Sequence, residues 1–218
     1  MSPSLNLSDI RKTYSQQELS EENIKDNPLT QFEGWLQEAL DAQAAEPTAM
    51  VLSTVSPEGR PSARVVLLKA LEQDQFVFFT NYYSRKGSQI NERPFAALTF
   101  FWPELERQVR IEGQVDKVST AISDNYFQSR PRGSQIGAWV SPQSKIVENR
   151  QVLEKVTEEY KLKFGEEELI PRPPHWGGYG LTPYYLEFWQ GRPNRLHDRL
   201  VFSRESAQAN WHLNRLAP

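Results

Sequence analysis

Apolar residues in DNPLTQFEGWLQEALDAQAAE, residues 26–46, recur at Leu29, Phe32, Leu36, Ala39 and Leu40, the spacing of one helical face. An Asp or Asn is placed to cap the first turn and a proline stands near the first helical position, so the stretch predicts an amphipathic helix. The period then drops to two. AMVLSTV, the turn SPEG and RPSARVVLLKA read as a hairpin, and QFVFFTN, FAALTFFW and RQVRIEGQVDKV as further strands, with a short helix at SRKGSQINE. So many strands in close succession favour a meander or barrel. Helical spacing returns at STAISDNYFQSR and at ENRQVLEKVTEEYKLKF, where Val152 or Leu153, Val156 and Tyr160 set one face. Beyond the prolines of IPRPPHW, the segments YGLTPYYLEFWQG, RLVFSR and WHLNRL read as strands again. Residues 1–25 are polar and patchy, which predicts a mobile arm or lid, with one short helix from Ser8 or Asp9, ahead of a single domain over 26–218.

Composition narrows the class. With 38% hydrophobic residues, 11 Phe, 8 Tyr and 6 Trp, the chain can bury a strand-rich core of large rings. The balance of 25 Lys+Arg against 28 Asp+Glu argues against a nucleic-acid binder, which needs a broad basic surface, so any anion site must be local. The absence of cysteine excludes disulfides, thiolate metal sites and cysteine nucleophiles. No apolar run is long enough to span a membrane and the start lacks a signal-peptide pattern, so a soluble cytoplasmic protein is expected. Phosphate-binding P-loop, dinucleotide, hydrolase-elbow and zincin signatures are missing, and His175, His197 and His212 are too scattered to suggest a metal site.

Basic clusters at strand ends remain: Arg64 and Lys69, Arg85 and Lys86, Arg107 and Arg110, Arg130 and Arg132, and the segment NRLHDRL. Any one of them alone reads as an ordinary solvated face. In an extended NRLHDRL, alternation would put Arg195, His197 and Arg199 on one face and Asp198 on the other, where pairing with a neighbouring arginine or capping a turn is its expected role. SRPRGSQIGAW combines guanidinium, hydroxyl and backbone N–H groups around Pro131, a suitable cradle for phosphate. Trp189 reads as core that could also line a flat ring, while Trp102, Trp139 and Trp211 read as core or dimer contacts and His175 and His212 as structural or exposed.

Taken in order, RVVLLK, FFTNYYSRK, LERQVR, YFQSRPRGSQIGAWVSPQS, EFWQG, RLHDR and the terminal NRLAP resemble the pyridoxine/pyridoxamine 5′-phosphate oxidase family from the first helix to the last residue. The short RKTY at Arg11 to Tyr14 is similar to a segment that family uses to cover its active site; the chain departs from the family in the loop GRPN before Arg195 and in the arm. The resemblance implies an α+β, mainly antiparallel fold: an FMN-binding split β-barrel with flanking helices, homodimeric, with 175–218 as the dimerisation and active-site segment. It implies FMN-phosphate contacts at Arg64, Arg85, Lys86, Gln143 and Ser144. Contacts to the rest of FMN would come from Val65, Val66, Leu67, Leu68 and Lys69, from Phe79, Thr80 and Gln108, and from Trp189 and Arg199.

The same resemblance implies substrate-phosphate anchors at Lys69, Tyr126, Arg130 and Ser134, a covering role for Arg11 and Tyr14, and Arg195 and His197 as the catalytic pair flanking the pyridine ring. The implied reaction is oxidation of pyridoxamine or pyridoxine 5′-phosphate to pyridoxal 5′-phosphate with dioxygen as acceptor, releasing hydrogen peroxide. Two phosphate dianions in one net-acidic protein would explain the scattered basic clusters. A split-barrel flavin reductase with another substrate and a non-catalytic flavin or pyridoxal phosphate carrier are the alternatives.

Overall fold

The computed structural model describes residues 13–165 and 169–218, in two compact units. One gathers the described part of Met1–Pro47 with Thr99–Arg110 and Tyr185–Pro218; the other consists of Thr48–Leu98 and Ile111–Tyr184. The elements are α1 (Pro28–Asp41), β1 (Ala49–Val55), β2 (Pro61–Leu67), β3 (Ala70–Glu72), β4 (Gln75–Asn81), α2 (Arg85–Glu92), β5 (Phe95–Trp102), β6 (Arg107–Lys117), α3 (Thr120–Ser129), α4 (Arg132–Val140), α5 (Arg150–Phe164), β7 (Trp176–Gln190), β8 (Asp198–Ser203) and β9 (His212–Arg215). Strand order is β2-β1-β5-β6-β7-β4-β3, with β8 on β7 and β9 on β8. The class is α+β and mainly antiparallel, as the family resemblance implied. Residues 1–12, which include Arg11 and the short helix expected near Ser8, lie outside the described residues.

In the first unit α1 starts where its sequence says it should. The Asn27 side chain accepts hydrogen bonds from the Leu29 and Thr30 amides at 2.8 and 3.3 Å, and Pro28 fills the first helical position. Replacing Asn27 by Ala should cost about 1 kcal/mol, read as a lower urea midpoint with an unchanged slope. The buried face differs slightly from the expected one: Leu40 points out, and Phe32, Trp35 and Ala39 point in. The reason lies in the partners. Phe32 packs 4.9 Å from the Phe100 ring, and Trp35 meets Phe188 edge-on at 5.2 Å, so the buried stripe is turned toward the side of Trp35 and away from that of Leu40. Trp102 is core, its indole N–H donating to the Pro47 carbonyl at 3.0 Å.

The second unit holds the β1–β2 hairpin, in register Leu52↔Arg64 and Val51↔Val65. The strand read as RPSARVVLLKA is interrupted. The Leu68 amide still donates to Thr48, but that of Lys69 donates to Val77 at 2.9 Å, so the chain changes partners and β3 continues on β4. Helix α2 is capped by Ser84 and lies so close to the preceding turn that a Cβ on Gly87 would stand 2.2 Å from the Tyr82 carbonyl oxygen. On α5 the half-buried face is Leu153, Val156 and Tyr160, with Val152 turned out.

SRPRGSQIGAW is mostly helix: α4 begins at Arg132 with Pro131 at its cap, and buried Gln135, Ile136 and Ala138 override the poor propensity of Gly133 and Gly137. One sequence expectation gives way. NRLHDRL is not an extended run. Pro193–Arg195 form a single 3-10 turn, Asn194 and Arg195 have φ of 58° and 62°, and β8 starts only at Asp198. Pro193 presets the turn and Asn194 tolerates the left-handed region, so alternation does not relate Arg195 to His197.

Candidate functional site

Two constellations in the second unit have the chemistry of anion sites. In the first, β4 carries Thr80, α2 carries Lys86, and the segment after α4 carries Gln143. The Lys86 ammonium, in a residue only 9% exposed, donates to Thr80 Oγ1 and Gln143 Oε1, each at 3.1 Å. The Thr80 hydroxyl donates to the same Gln143 oxygen at 3.0 Å. Arg64 is held by neutral acceptors alone: Nη1 donates to the Leu52 carbonyl at 3.0 Å and Thr54 Oγ1 at 2.7 Å, and Nη2 to Ser62 Oγ at 2.8 Å. Thr54 and Ser62 are steadied in turn by Gln89.

Among the described residues no carboxylate forms an ion pair with Arg64, Arg85 or Lys86. The electrostatic result is what unpaired burial dictates. Burial, helped by the Arg64 charge, draws the Lys86 ammonium down to about 8, and burial followed by the Arg85 charge lowers Arg64 as well. A buried Lys86 and a half-buried Arg64 without a carboxylate partner among the described residues are costly, and a bound anion would offset that cost.

The second constellation is built on rings. Phe79, the neighbour of Thr80 on β4, points to the opposite face and stacks on Tyr126 of α3 at 3.9 Å and on Trp176 at 5.5 Å. Arg130, at the end of α3, lies over Trp176 at 4.5 Å, and its buried Nη1 has no hydrogen-bond partner among the described residues. Burial lowers its proton affinity and raises that of the Tyr126 hydroxyl. Ser134 sits exposed in the first turn of α4, and Lys69 is exposed where the chain changes strands; neither contacts the ring stack among the described residues.

The first unit holds an imidazole among rings. The His197 ring centroid is 4.6 Å from that of Trp189, and Tyr14 meets both edge-on, at 5.7 Å from His197 and 5.8 Å from Trp189. Tyr14 reaches this place because Gly191 leaves it room: a Cβ there would stand 2.8 Å from the phenol ring. His197 Nδ1 accepts the Arg192 amide at 3.0 Å. Burial, then the Arg195 charge, lower the imidazole's proton affinity against the opposing pull of Asp198.

Model matches complete the picture. The model for "Pyridoxamine 5'-phosphate oxidase" covers residues 36–164, and that for "Pyridoxine 5'-phosphate oxidase C-terminal dimerisation region" covers 176–218. The chain belongs to the pyridoxine/pyridoxamine 5′-phosphate oxidase family. It is 54% identical to the pyridoxine/pyridoxamine 5′-phosphate oxidase of Cyanothece sp. (strain PCC 7425 / ATCC 29141) over 98% of this chain and 99% of that one. The enzyme of the same name from Burkholderia mallei (strain SAVP1) is also 54% identical, over 97% and 99%. Among solved structures, PhzG from Burkholderia lata 383, in complex with tetrahydrophenazine-1-carboxylic acid, superposes with a TM-score of 0.87 at 28% identity, covering 95% of this chain and 100% of that one. A pyridoxamine 5′-phosphate oxidase-related, FMN-binding protein of Nostoc punctiforme shares the fold at a TM-score of 0.69 and 20% identity, over 86% and 97%. The fold is thus the split β-barrel, and the chain is an oxidoreductase of this family.

FMN is the cofactor of the oxidase family, and the residues present fit it. Lys86 is a buried and Arg64 a half-buried cation, neither paired with a carboxylate among the described residues, with Thr80 and Gln143 on Lys86 and exposed Arg85 and Ser144 beside Lys86 and Gln143 in sequence, a donor set for a phosphate dianion. The other expected cofactor contacts are distributed. Val65 and Leu67 point outward from β2, Val66 and Leu68 inward, and Gln108 is half-buried on β6. Trp189 and Arg199 stand directly opposite each other on β7 and β8.

Arg199 is not loose, although no local signal around it shows this. Its Nε donates to Glu187 at 2.8 Å and its Nη1 to the Ala217 carbonyl at 2.8 Å. Burial would push the Glu187 carboxyl up; bonds from Arg199 and Tyr185 and the charges of Arg199 and Arg110 outweigh it and hold the group below its ordinary range. Arg107, read beforehand as surface, is buried beside Gln190 and Glu38 and over the Trp35 ring at 4.3 Å, so it is structural. Asp198 pairs with Arg215 at 2.8 Å, the role expected of it. Arg195 is exposed.

Proposed function

We propose that the protein is a pyridoxal 5′-phosphate synthase, oxidising pyridoxamine and pyridoxine 5′-phosphates with dioxygen and acting in the cytoplasm as a homodimer. The observation that carries this reading is the pair of separate anion sites in one unit, since the reaction needs one phosphate site for FMN and one for the substrate. When bound, FMN would supply the acceptor for the hydride from the substrate's C4′ and the route for those electrons to dioxygen, which leaves as hydrogen peroxide. From the amine the second product is ammonia, after hydrolysis; the alcohol gives the aldehyde directly.

The chain's own residues do the rest. Arg64, Lys86, Thr80 and Gln143 hold the cofactor's phosphate, with Arg85 and Ser144 at its edge. Arg130 and Tyr126, with Lys69 and Ser134, anchor the substrate's phosphate, and orientation of that kind can contribute several kcal/mol, about 7–11 at the extreme. Arg195 and His197 act on the pyridine ring.

The tautomer of His197 follows from its hydrogen bond. With Nδ1 accepting the Arg192 amide, the neutral ring carries its proton on Nε2, so at neutral pH it presents a donor to the substrate. His197 is therefore a positioning donor in this reading, and the proton it could take up at Nδ1 is opposed by the peptide N–H already there. The name of the dimerisation model over 176–218 supports two copies per assembly.

Anaerobic addition of pyridoxine 5′-phosphate to the yellow holoprotein should bleach the flavin band, and admission of air should restore it with one peroxide per aldehyde formed. A flavin band indifferent to both phosphate substrates would sink the reading. Bleaching by a nicotinamide cofactor, or by a tricyclic carboxylic acid of the kind bound to PhzG, would redirect it.

A further inference from the structure

The segment from Tyr14 to Glu21 is fastened to its own unit at almost every residue. The Ser15 and Gln16 amides donate to Glu106 Oε2 at 2.9 and 3.2 Å, and the Leu19 amide donates to Asp198 Oδ2 at 3.1 Å. Arg215 donates to Glu21 and to the Leu19 carbonyl, and the Leu19 side chain is buried. One residue of this fastening also touches the imidazole. Arg192 Nη1 donates to Glu18 Oε2 at 2.9 Å and to the Gln17 carbonyl at 3.4 Å, its Nε lies 3.7 Å from Asp198 Oδ2, and its backbone amide is the donor to His197 Nδ1. It stands in the GRPN loop, where the chain departs from the family pattern.

We infer that Arg192 is a positioning residue that couples the seating of Tyr14–Glu21 to the hydrogen-bonding state of the His197 imidazole. The side chain grips the segment and the adjacent Asp198, and that grip fixes the plane of the peptide whose N–H meets Nδ1. The segment in turn places Tyr14 against the imidazole. The loop between the two ends is the tight turn at Pro193–Arg195, with Asn194 and Arg195 in left-handed conformations, so a rotation at Arg192 has little slack to absorb it before His197. Releasing the grip therefore frees both ends at once: the segment lifts more often, and Nδ1 loses a donor that favours the neutral ring.

The groups facing His197 are Arg195 and Asp198 on its own segment, Arg192 from the end of β7, and Tyr14 from the N-terminal segment; Trp189 carries no charge. Loss of the amide donor moves the imidazole titration to higher pH, because the protonated ring no longer has to displace it. Removing the positive charge of Arg192 would move it the same way, so the decisive variant is Glu18→Gln, which keeps that charge. If charge alone mattered, losing the Glu18 carboxylate would move the titration down.

The inference rests on the reading of His197 as a substrate contact, but its readouts need no substrate. With three histidines in the chain, imidazole proton NMR of the holoprotein resolves His197 by comparison with His197→Asn. Arg192→Ala and Glu18→Gln should both raise the His197 titration, and chymotryptic cleavage after Tyr14 should quicken about three- to fivefold, the scale of one partly exposed ion pair. Arg192→Lys should recover part of the protection. Unchanged cleavage and titration in Arg192→Ala would overturn the inference, and so would faster cleavage with His197 unmoved, or a downward shift in Glu18→Gln. Failure of turnover with phosphate substrates, with these shifts present, would count against the proposed reaction alone.

Discussion

Lys86→Met is expected to weaken FMN binding about a hundredfold, the loss of a buried charge-assisted contact to phosphate, and to leave a protein that purifies colourless. The pH dependence is the sharper part. The ammonium is the form that binds a dianion, and in the cofactor-free protein it loses its proton at about 8. Raising the pH above that value should raise the Kd for FMN by up to tenfold per pH unit, until the pKa of the phosphate-bound ammonium is passed. Stability of the cofactor-free protein should move the other way. The folded-state value lies below the ordinary 10.5, so the unfolded chain holds the proton more tightly between the two values, and this group's contribution to stability grows as pH rises from about 8 to 10.5. Fluorescence titration of FMN from pH 7 to 9.5 measures the first trend and urea unfolding the second. A Kd that is flat across that range, or equally steep in Lys86→Met, would remove Lys86 from the phosphate site.

Arg130→Met is expected to raise KM for both phosphate substrates about a hundredfold while the melting temperature of the protein without substrate changes by less than about 3 °C. The two halves have one cause. Arg130 carries a buried Nη1 with no acceptor among the described residues, a cost the folded protein bears until an anion arrives. The variant loses the contact with Trp176, worth about 0.5–2 kcal/mol, and is relieved of the unpaired group, so the two nearly cancel in stability. With substrate there is no such compensation, because the guanidinium–phosphate contact is gone. Steady-state kinetics with both substrates and a thermal scan decide it. A large fall in melting temperature with KM unchanged would make Arg130 a purely structural residue on the ring stack.

What could be read from the chain was what is local. The cap at Asn27, Pro28 and a helical period marked α1, and alternation marked the hairpin and β4 through β6, because those signals lie within a few residues of each other. The Lys86 site was legible as SRK for a similar reason: Ser84 caps the helix that carries it. The failures are tertiary. Arg107 and Lys86 look alike in sequence, yet Arg107 finds Glu38 and Gln190, 69 and 83 residues away, while Lys86 finds only neutral groups. Helix α4 was obscured by two glycines whose low propensity its buried face overrides, and Glu187, in plain view within EFWQG, gave no hint of the arginines it holds. The loop at GRPN was signalled by its own residues, but nothing in NRLHDRL showed that the turn runs on through Arg195.

Strand β4 pairs with β7 in the register Phe76↔Leu181, so its partner follows it by about a hundred residues. During synthesis at about 5–20 residues per second, QFVFFTN must wait roughly 5–20 seconds for that partner, with only the three-residue β3 to pair against. Four apolar or aromatic residues in succession with an unpaired backbone edge are the composition that associates between chains. The nascent protein is therefore most exposed to aggregation, and most dependent on chaperones, after the first half has left the ribosome and before Trp176–Leu181 arrives, and its folding rate is set by closing that long interval.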